Sequence, residues 1–136
     1  MNKGLGLRVL IVEDSPDVRW TLSELLTDEG YEVETAESAE DGLSRLAGGQ
    51  FQLVITDYKL PTQTGVWMLQ EAAKARLLAG SKVLLITGEA NPDGVAGLKV
   101  LPKPIDPELF LREVSRILAR TGVKGLKVDQ PKAAED

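Results

Sequence analysis

Short runs of Val, Leu and Ile, most of them almost uninterrupted by polar residues, limit what this chain can fold into. Four such runs occur, with the sequences LRVLIV, FQLVIT, KVLLIT and LKVL at residues 7–12, 51–56, 82–87 and 98–101. Continuous apolar runs of this length are typical of strands buried on both faces, as in a parallel sheet covered by helices. A fifth segment, YEVETA at residues 31–36, alternates apolar and polar residues and predicts a strand with one less buried face.

Helical patterns separate these strands. Ser15-Pro16 and Asp106-Pro107 each combine a capping residue with a proline at the first helical position. Strands that alternate with helices indicate βαβ units, a parallel sheet and the α/β class. Residues 89–97 contain a proline and two glycines, so we expect a loop there with at most one helical turn. The predicted helices run from Ser15 to Gly30, from Ser38 to Gly49, from Gly65 to Ala79 and from Asp106 to Gly122.

Composition removes several kinds of chemistry. The 136 residues include no His and no Cys, which excludes histidine bases, thiolate nucleophiles, disulfides and zinc fingers. The net charge of -5 argues against nucleic-acid binding, which needs a basic surface. The chain also lacks a signal-peptide pattern and an apolar stretch long enough to cross a membrane. These features predict a cytoplasmic protein of one domain that uses carboxylate, hydroxyl, lysine and arginine groups.

Polar side chains follow four of the five predicted strands, at the carboxyl end of each. Binding sites in open α/β sheets form beyond these ends, so we expect the side chains to meet at one edge. Taken alone, each of these residues also fits an ordinary structural role, such as a helix cap, a hydrogen bond at a strand end or a solvated side chain. The residues are Glu13 and Asp14 after the first strand, Asp57 after the third, Thr87 at the end of the fourth and Lys103 after the fifth.

Three clustered carboxylates need compensating positive charge. Two like charges about 4 Å apart repel by about 4 kcal/mol at an effective dielectric constant of about 20. Lys103 supplies one positive charge, and the remaining excess suits a hard divalent cation, with Mg²⁺ the default. Such a cation can bridge a carboxylate and a phosphoryl oxygen, which leaves one carboxylate as nucleophile for an acyl phosphate. Asp57 is the best candidate because it lies on a central strand, whereas Glu13 and Asp14 form a natural metal-binding pair.

Four motifs together resemble those of the response-regulator receiver domain of two-component signalling, in the CheY-like superfamily. They are VLIVEDS at 9–15, ITDYKLP at 55–61 with Gly65 shortly after, LLITGE at 84–89 and LPKPID at 101–106. The resemblance implies a (βα)5 doubly wound, flavodoxin-like fold with a five-stranded parallel sheet. It covers residues 7–120 as a receiver domain and leaves residues 121–136 as a flexible C-terminal tail.

The resemblance also implies a role for each residue at the sheet edge. By position, Asp57 is the expected phosphoacceptor, Thr87 the switch hydroxyl and Lys103 the lysine that contacts phosphate. The Lys103–Pro104 bond is expected to be cis, which costs an X-Pro bond only about 0.5–1 kcal/mol. The expected Mg²⁺ ligands are the carboxylates of Glu13, Asp14 and Asp57 and the backbone carbonyl of Lys59.

Two departures from the family pattern concern the output side. The fourth helix of the family is predicted to be shortened or replaced by a loop, because residues 89–97 are few and rich in glycine. Val100 stands where the family usually has its switch aromatic, and valine is smaller and stiff at χ1. We therefore expect phosphorylation to act through the loop at residues 88–97 rather than through an aromatic swing.

Lys59 and Glu89 lie two residues after Asp57 and Thr87, respectively. Their opposite charges could pair across the phosphoryl group and hinder attacking water. The alternative is that both are ordinary solvated side chains.

The sequence thus predicts a phosphorylation-dependent switch that takes a phosphoryl group from a histidine kinase or phosphotransfer protein. Output would occur by contact with a downstream protein, without direct nucleic-acid or membrane binding. The alternative is a protein-binding module that does not use phosphorylation, which the missing helix and Val100 favour. A phosphohydrolase with an aspartyl nucleophile is disfavoured because Lys59 occupies the position of its second acid, and a Rossmann site because no GxGxxG motif follows the first strand.

Overall fold

The five apolar segments form one parallel sheet in the computed structural model, which describes residues 6–119. Numbered along the chain, the strands lie in the order second, first, third, fourth, fifth. The first strand, which the acidic pair follows, and the third, which ends in Asp57, therefore lie side by side. Every neighbouring pair is parallel. The strands are β1 (Arg8–Val12), β2 (Glu32–Ala36), β3 (Leu53–Asp57), β4 (Lys82–Thr87) and β5 (Lys99–Pro102).

Four helices cover the two faces of this sheet. One face packs on the first and fourth helices of the chain through a cluster that includes Leu22, Ile55 and Phe110. The other face packs on the second and third helices through a cluster that includes Leu46 and Met68. The helices are α1 (Pro16–Asp28), α2 (Ala39–Gly48), α3 (Gly65–Lys74) and α4 (Pro107–Ala119).

The predicted fold class and the replacement of the family's fourth helix by a loop are confirmed. Residues 88–98 contain bends and turns and no helix. This loop packs against α3 at Gly94, where an added Cβ would lie 3.0 Å from Val66.

One predicted helix boundary is wrong, because α3 ends at Lys74 rather than at Ala79. Arg76 adopts a left-handed conformation with φ 61°, and its N–H donates to Ala73 O at 3.0 Å. The N–H of Leu77 then donates to Ala72 O at 2.8 Å. This hydrogen-bond pair is a Schellman motif, which ends a helix and is usually built on glycine.

The predicted C-terminal tail, residues 121–136, lies outside the described residues. Within residues 6–119, no helix is both long enough and apolar enough to span a membrane.

Candidate functional site

Three carboxylates meet at the carboxyl edge of the sheet, as the sequence predicted. Asp57 is the last residue of β3, and Glu13 and Asp14 directly follow β1. One oxygen of each carboxylate lies within 4.8 Å of the others. Glu13 and Asp57 are buried, whereas Asp14 is exposed. The cluster is therefore open to solvent on the side of Asp14.

Lys103 supplies the positive charge of this cluster. Its Nζ donates to Asp57 Oδ2 at 2.7 Å and lies 3.1 Å from Glu13 Oε1. Burial alone would lower the pKa of Lys103, but the hydrogen bond to Asp57 and the nearby negative charges of Asp57 and Glu13 outweigh it and raise that pKa above its usual value. Burial raises the pKa of Glu13, against the opposing effects of the Ser15 N–H and Lys103. Because its pKa is raised, the ammonium group of Lys103 remains charged at neutral pH.

Close packing behind Asp57 holds the end of β3 in place. The Thr56 hydroxyl donates to Asp57 O at 2.9 Å, and Gly65 N–H donates to Tyr58 O at 2.8 Å. A Cβ added to Gly65 would lie only 2.2 Å from Asp57 O. The start of α3 can approach the strand this closely only because residue 65 is glycine.

Thr87 and Glu89 border the cluster on the β4 side. Thr87 follows Ile86, which pairs with Asp57, and its hydroxyl accepts a hydrogen bond from Glu89 N–H at 2.9 Å. Lys59 N–H donates to Asp57 Oδ1 at 3.4 Å, and Lys59 Nζ lies 3.7 Å from Glu89 Oε2. The oppositely charged Lys59 and Glu89 side chains therefore lie near each other beside the acidic cluster, and both are exposed to solvent.

The remaining predicted positions lie on or after β5. Val100 pairs with Leu85 and is half-buried. The Lys103–Pro104 bond is cis, as expected.

Two residues at this site were not identified from the sequence. Tyr58 follows Asp57, and its hydroxyl accepts a hydrogen bond from Asp93 N–H at 3.2 Å, which links the end of β3 to the 88–98 loop. Arg19 lies at the end of the first turn of α1, and its guanidinium donates to Glu13 O at 2.9 Å. Two signals in the sequence were available: an aromatic residue directly after the central acid, and an arginine five residues after the acidic pair.

The donor set fits a hard divalent cation. Carboxylate oxygens are the ligands that Mg²⁺ prefers in proteins. The buried Oε1 atom of Glu13 accepts no well-formed hydrogen bond from the described residues, although Lys103 lies nearby, so lone pairs remain for a further ligand. Glu13, Asp14 and Asp57 are the residues that could hold the cation.

Comparison with known proteins shows the family. The family model described as the response regulator receiver domain matches residues 9–115 of this chain. The chain therefore belongs to the response regulator receiver domains of two-component systems.

Among curated proteins, the response regulator ArlR of Staphylococcus aureus is 31% identical over 135 residues, which is 90% of this chain and 60% of the relative. The chain thus spans about 60% of the length of such relatives.

Solved structures of response regulators have the same fold. The chemotaxis response regulator CheY4 of Vibrio cholerae is 30% identical with a TM-score of 0.75, covering 82% of this chain and 98% of that chain. A CheY-like receiver domain protein from Methanospirillum hungatei is 32% identical with a TM-score of 0.78, covering 85% and 95%. TrrA of Thermotoga maritima, solved in complex with Mg²⁺-BeF, is 29% identical with a TM-score of 0.73, covering 82% and 98%.

Proposed function

We propose that this chain is a phosphorylation switch in the cytoplasm and that Asp57 is its phosphoacceptor. The phosphoryl donor would be a phosphohistidine on a histidine kinase or phosphotransfer protein, because this chain contains no histidine. Output would follow through contact with a downstream protein.

The arrangement of Lys103 carries this proposal. Its ammonium contacts Asp57 Oδ2 at 2.7 Å and Glu13 Oε1 at 3.1 Å, within a cluster of three carboxylates. An ammonium group held between two acids at a sheet edge provides a place for phosphoryl oxygens beside a carboxylate nucleophile. A protein that only needed a stable sheet end would gain little from burying this much charge.

In the proposed reaction, a carboxylate oxygen of Asp57 attacks the phosphorus of the partner's phosphohistidine. A P–O bond forms as the P–N bond breaks, and the imidazole nitrogen leaves with the electron pair of that bond and takes a proton from solvent. Lys103 is placed to hold a phosphoryl oxygen, and the Thr87 hydroxyl can donate to another. The chain would therefore assist its own phosphorylation and dephosphorylation without acting on a separate substrate.

Glu13, Asp14, Asp57 and the backbone carbonyl of Lys59 would hold Mg²⁺ at this site. TrrA, whose structure contains Mg²⁺-BeF, supports this assignment by its similarity in sequence and fold. When bound, the cation supplies positive charge that offsets the charge of the transferring phosphoryl group.

Mass spectrometry of the intact protein tests the proposal. After incubation with acetyl phosphate and Mg²⁺, the wild-type chain should gain the mass of one phosphoryl group, and EDTA should prevent the gain. Asp57→Asn should show none, whereas Asp93→Asn, which changes an exposed acid in the loop, should behave as wild type. A gain that persists in Asp57→Asn would refute the assignment.

We further propose that phosphorylation acts on the 88–98 loop. Val100 lacks the size of a switch aromatic, but three contacts join this loop to the site. The Thr87 hydroxyl accepts from Glu89 N–H, Lys59 lies near Glu89, and the Tyr58 hydroxyl accepts from Asp93 N–H. A Thr87 hydroxyl that turns toward a phosphoryl oxygen would change its hydrogen bond to the loop.

Amide hydrogen exchange with and without Mg²⁺ and beryllofluoride tests this output route. We expect changed protection across residues 88–97, and a smaller change in Tyr58→Phe because the link to Asp93 is lost. If exchange in this loop is the same in both states of the wild type, the proposed route is wrong.

The alternative function is a protein-binding module that does not use phosphorylation. The absence of a helix in residues 88–98 and the small side chain at Val100 favour it. A wild-type chain that gains no phosphoryl mass, and binds the same partner whether or not Mg²⁺ and beryllofluoride are present, would establish this alternative.

A further inference from the structure

We infer that Arg19 is a positioning residue for the acidic pair Glu13–Asp14 and thereby sets the affinity of the site for Mg²⁺, an inference that rests on the proposed function. Arg19 does not touch the carboxylates that would hold the cation. It acts instead on the backbone that carries them.

The contacts of Arg19 converge on the short segment between β1 and α1. Its Nη1 donates to Glu13 O at 2.9 Å and lies 3.5 Å from Asp14 O. Its own N–H donates to Ser15 O at 2.9 Å, as part of the first turn of α1. One side chain therefore connects the helix to two consecutive carbonyl groups of the acidic pair.

The guanidinium is well suited to this task. It is planar, always charged and carries several N–H donors in a rigid arrangement. The Arg19 side chain is only 18% exposed, so its hydrogen bonds are partly shielded from water. Rotation of either peptide unit would break a contact to Arg19, and this restricts where the two carboxylates can point.

Orientation of these carboxylates matters for Mg²⁺ in particular. This ion requires nearly ideal octahedral geometry and tolerates misplaced ligands poorly. Groups that orient metal ligands commonly change metal affinity by about 10-fold to 100-fold when removed. Loss of the guanidinium should therefore weaken Mg²⁺ binding.

A different role for Arg19 predicts other results. Its Nη2 also lies 3.9 Å from Glu37 Oε2, and the Glu37 side chain is 76% exposed. If Arg19 served only this surface pair, its removal would not alter Mg²⁺ binding. If its charge mattered only through long-range repulsion of the cation, its removal would strengthen Mg²⁺ binding.

Isothermal titration calorimetry with Mg²⁺ alone distinguishes these roles. Arg19→Met keeps the apolar stem of the side chain and should raise the Kd by about tenfold. Arg19→Lys keeps the charge but not the planar donor array, so most of the loss should remain. Glu37→Gln, the matched control, should bind as wild type. Equal or tighter binding by Arg19→Met, or full recovery in Arg19→Lys, would overturn the inference.

Phosphorylation by acetyl phosphate gives a second readout that a general loss of structure would not imitate. Arg19→Met should need more Mg²⁺ for half-maximal phosphorylation but reach the wild-type extent at saturating Mg²⁺. A reduced extent at saturation would mean that Arg19 does more than position the metal ligands, and the inference would be wrong. Failure of the wild type itself to bind Mg²⁺ would instead refute the proposed function.

Discussion

At the scale of single residues, the cluster at the sheet edge depends on the ammonium group of Lys103, which lies between two buried acids. Lys103 lies within 3.1 Å of both Asp57 and Glu13, and its side chain is 26% exposed. Removal of one partner from a largely buried ion pair leaves charge without compensation, and that costs more than the pair itself contributes. The stability of the apo protein should therefore depend on Lys103.

We predict that Lys103→Met lowers the free energy of unfolding at pH 7 by about 2 kcal/mol when no divalent cation is present. This is less than the roughly 3–5 kcal/mol of a fully buried pair, because the Lys103 side chain is partly exposed to solvent. Urea denaturation measures this loss, and added Mg²⁺ should recover part of it because the cation offsets the same carboxylates. Lys74→Met is the control, since Lys74 forms an exposed pair with Glu71 and should change stability by less than about 0.5 kcal/mol. Equal stability of the two variants would contradict the prediction.

The Lys59–Glu89 pair leads to a kinetic prediction. Lys59 is 81% exposed, and an exposed pair is worth at most about 1 kcal/mol, which corresponds to about a fivefold change in rate. If the pair hinders attacking water, Lys59→Ala should shorten the lifetime of the phosphorylated protein by up to that factor. Decay of the phosphorylated mass over time measures it, with Lys74→Ala as control. An unchanged decay rate would mean that both side chains are simply solvated.

At the scale of elements, two helices end in the same way on different residues. The end of α1 uses Gly30 with φ 95°, and the hydrogen bonds from Gly30 and Tyr31 reach back to Thr27 and Leu26. The sequence predicted that end because glycine favours the left-handed conformation. The end of α3 uses Arg76 in that conformation, and no local signal marks it.

Arg76→Gly should stabilise the protein by about 1 kcal/mol, because a left-handed conformation costs most other residues about this much. Thermal unfolding measures the effect as a higher Tm. Arg76→Ala keeps the unfavourable Cβ and should give no such gain, which separates backbone strain from loss of the arginine side chain. A lower Tm for the glycine variant would show that the side chain itself stabilises the helix end.

At the scale of the whole molecule, one sheet holds two separate apolar layers together. The layer under α1 and α4 includes Phe110, which is completely buried. Trp20, also aromatic, is 66% exposed on the outer side of α1. Both side chains are large and aromatic, so the difference in their burial decides how much each contributes to stability.

We predict that Phe110→Ala lowers the free energy of unfolding by about 3–5 kcal/mol, because the truncation removes buried area and leaves a cavity. Trp20→Ala should change it by less than about 0.5 kcal/mol. Chemical denaturation of the two variants provides the comparison. Similar losses in both would show that Trp20 packs against the protein in solution.

The sequence by itself determined the sheet, the order of strands and helices, and the positions of Glu13, Asp14, Asp57, Thr87 and Lys103 at strand ends. These features follow from short-range patterns, since an apolar run sets a buried strand and the residue after it lies at the sheet edge. The tertiary structure alone decided which of these groups touch. Four features depend on distances or backbone angles that local patterns do not encode. They are the Lys103–Asp57 contact, the hydrogen bond between Tyr58 and Asp93, the hydrogen bond from Arg19 to the backbone of the acidic pair, and the early end of α3. Such contacts form only when different strands, helices and loops pack together in the folded protein.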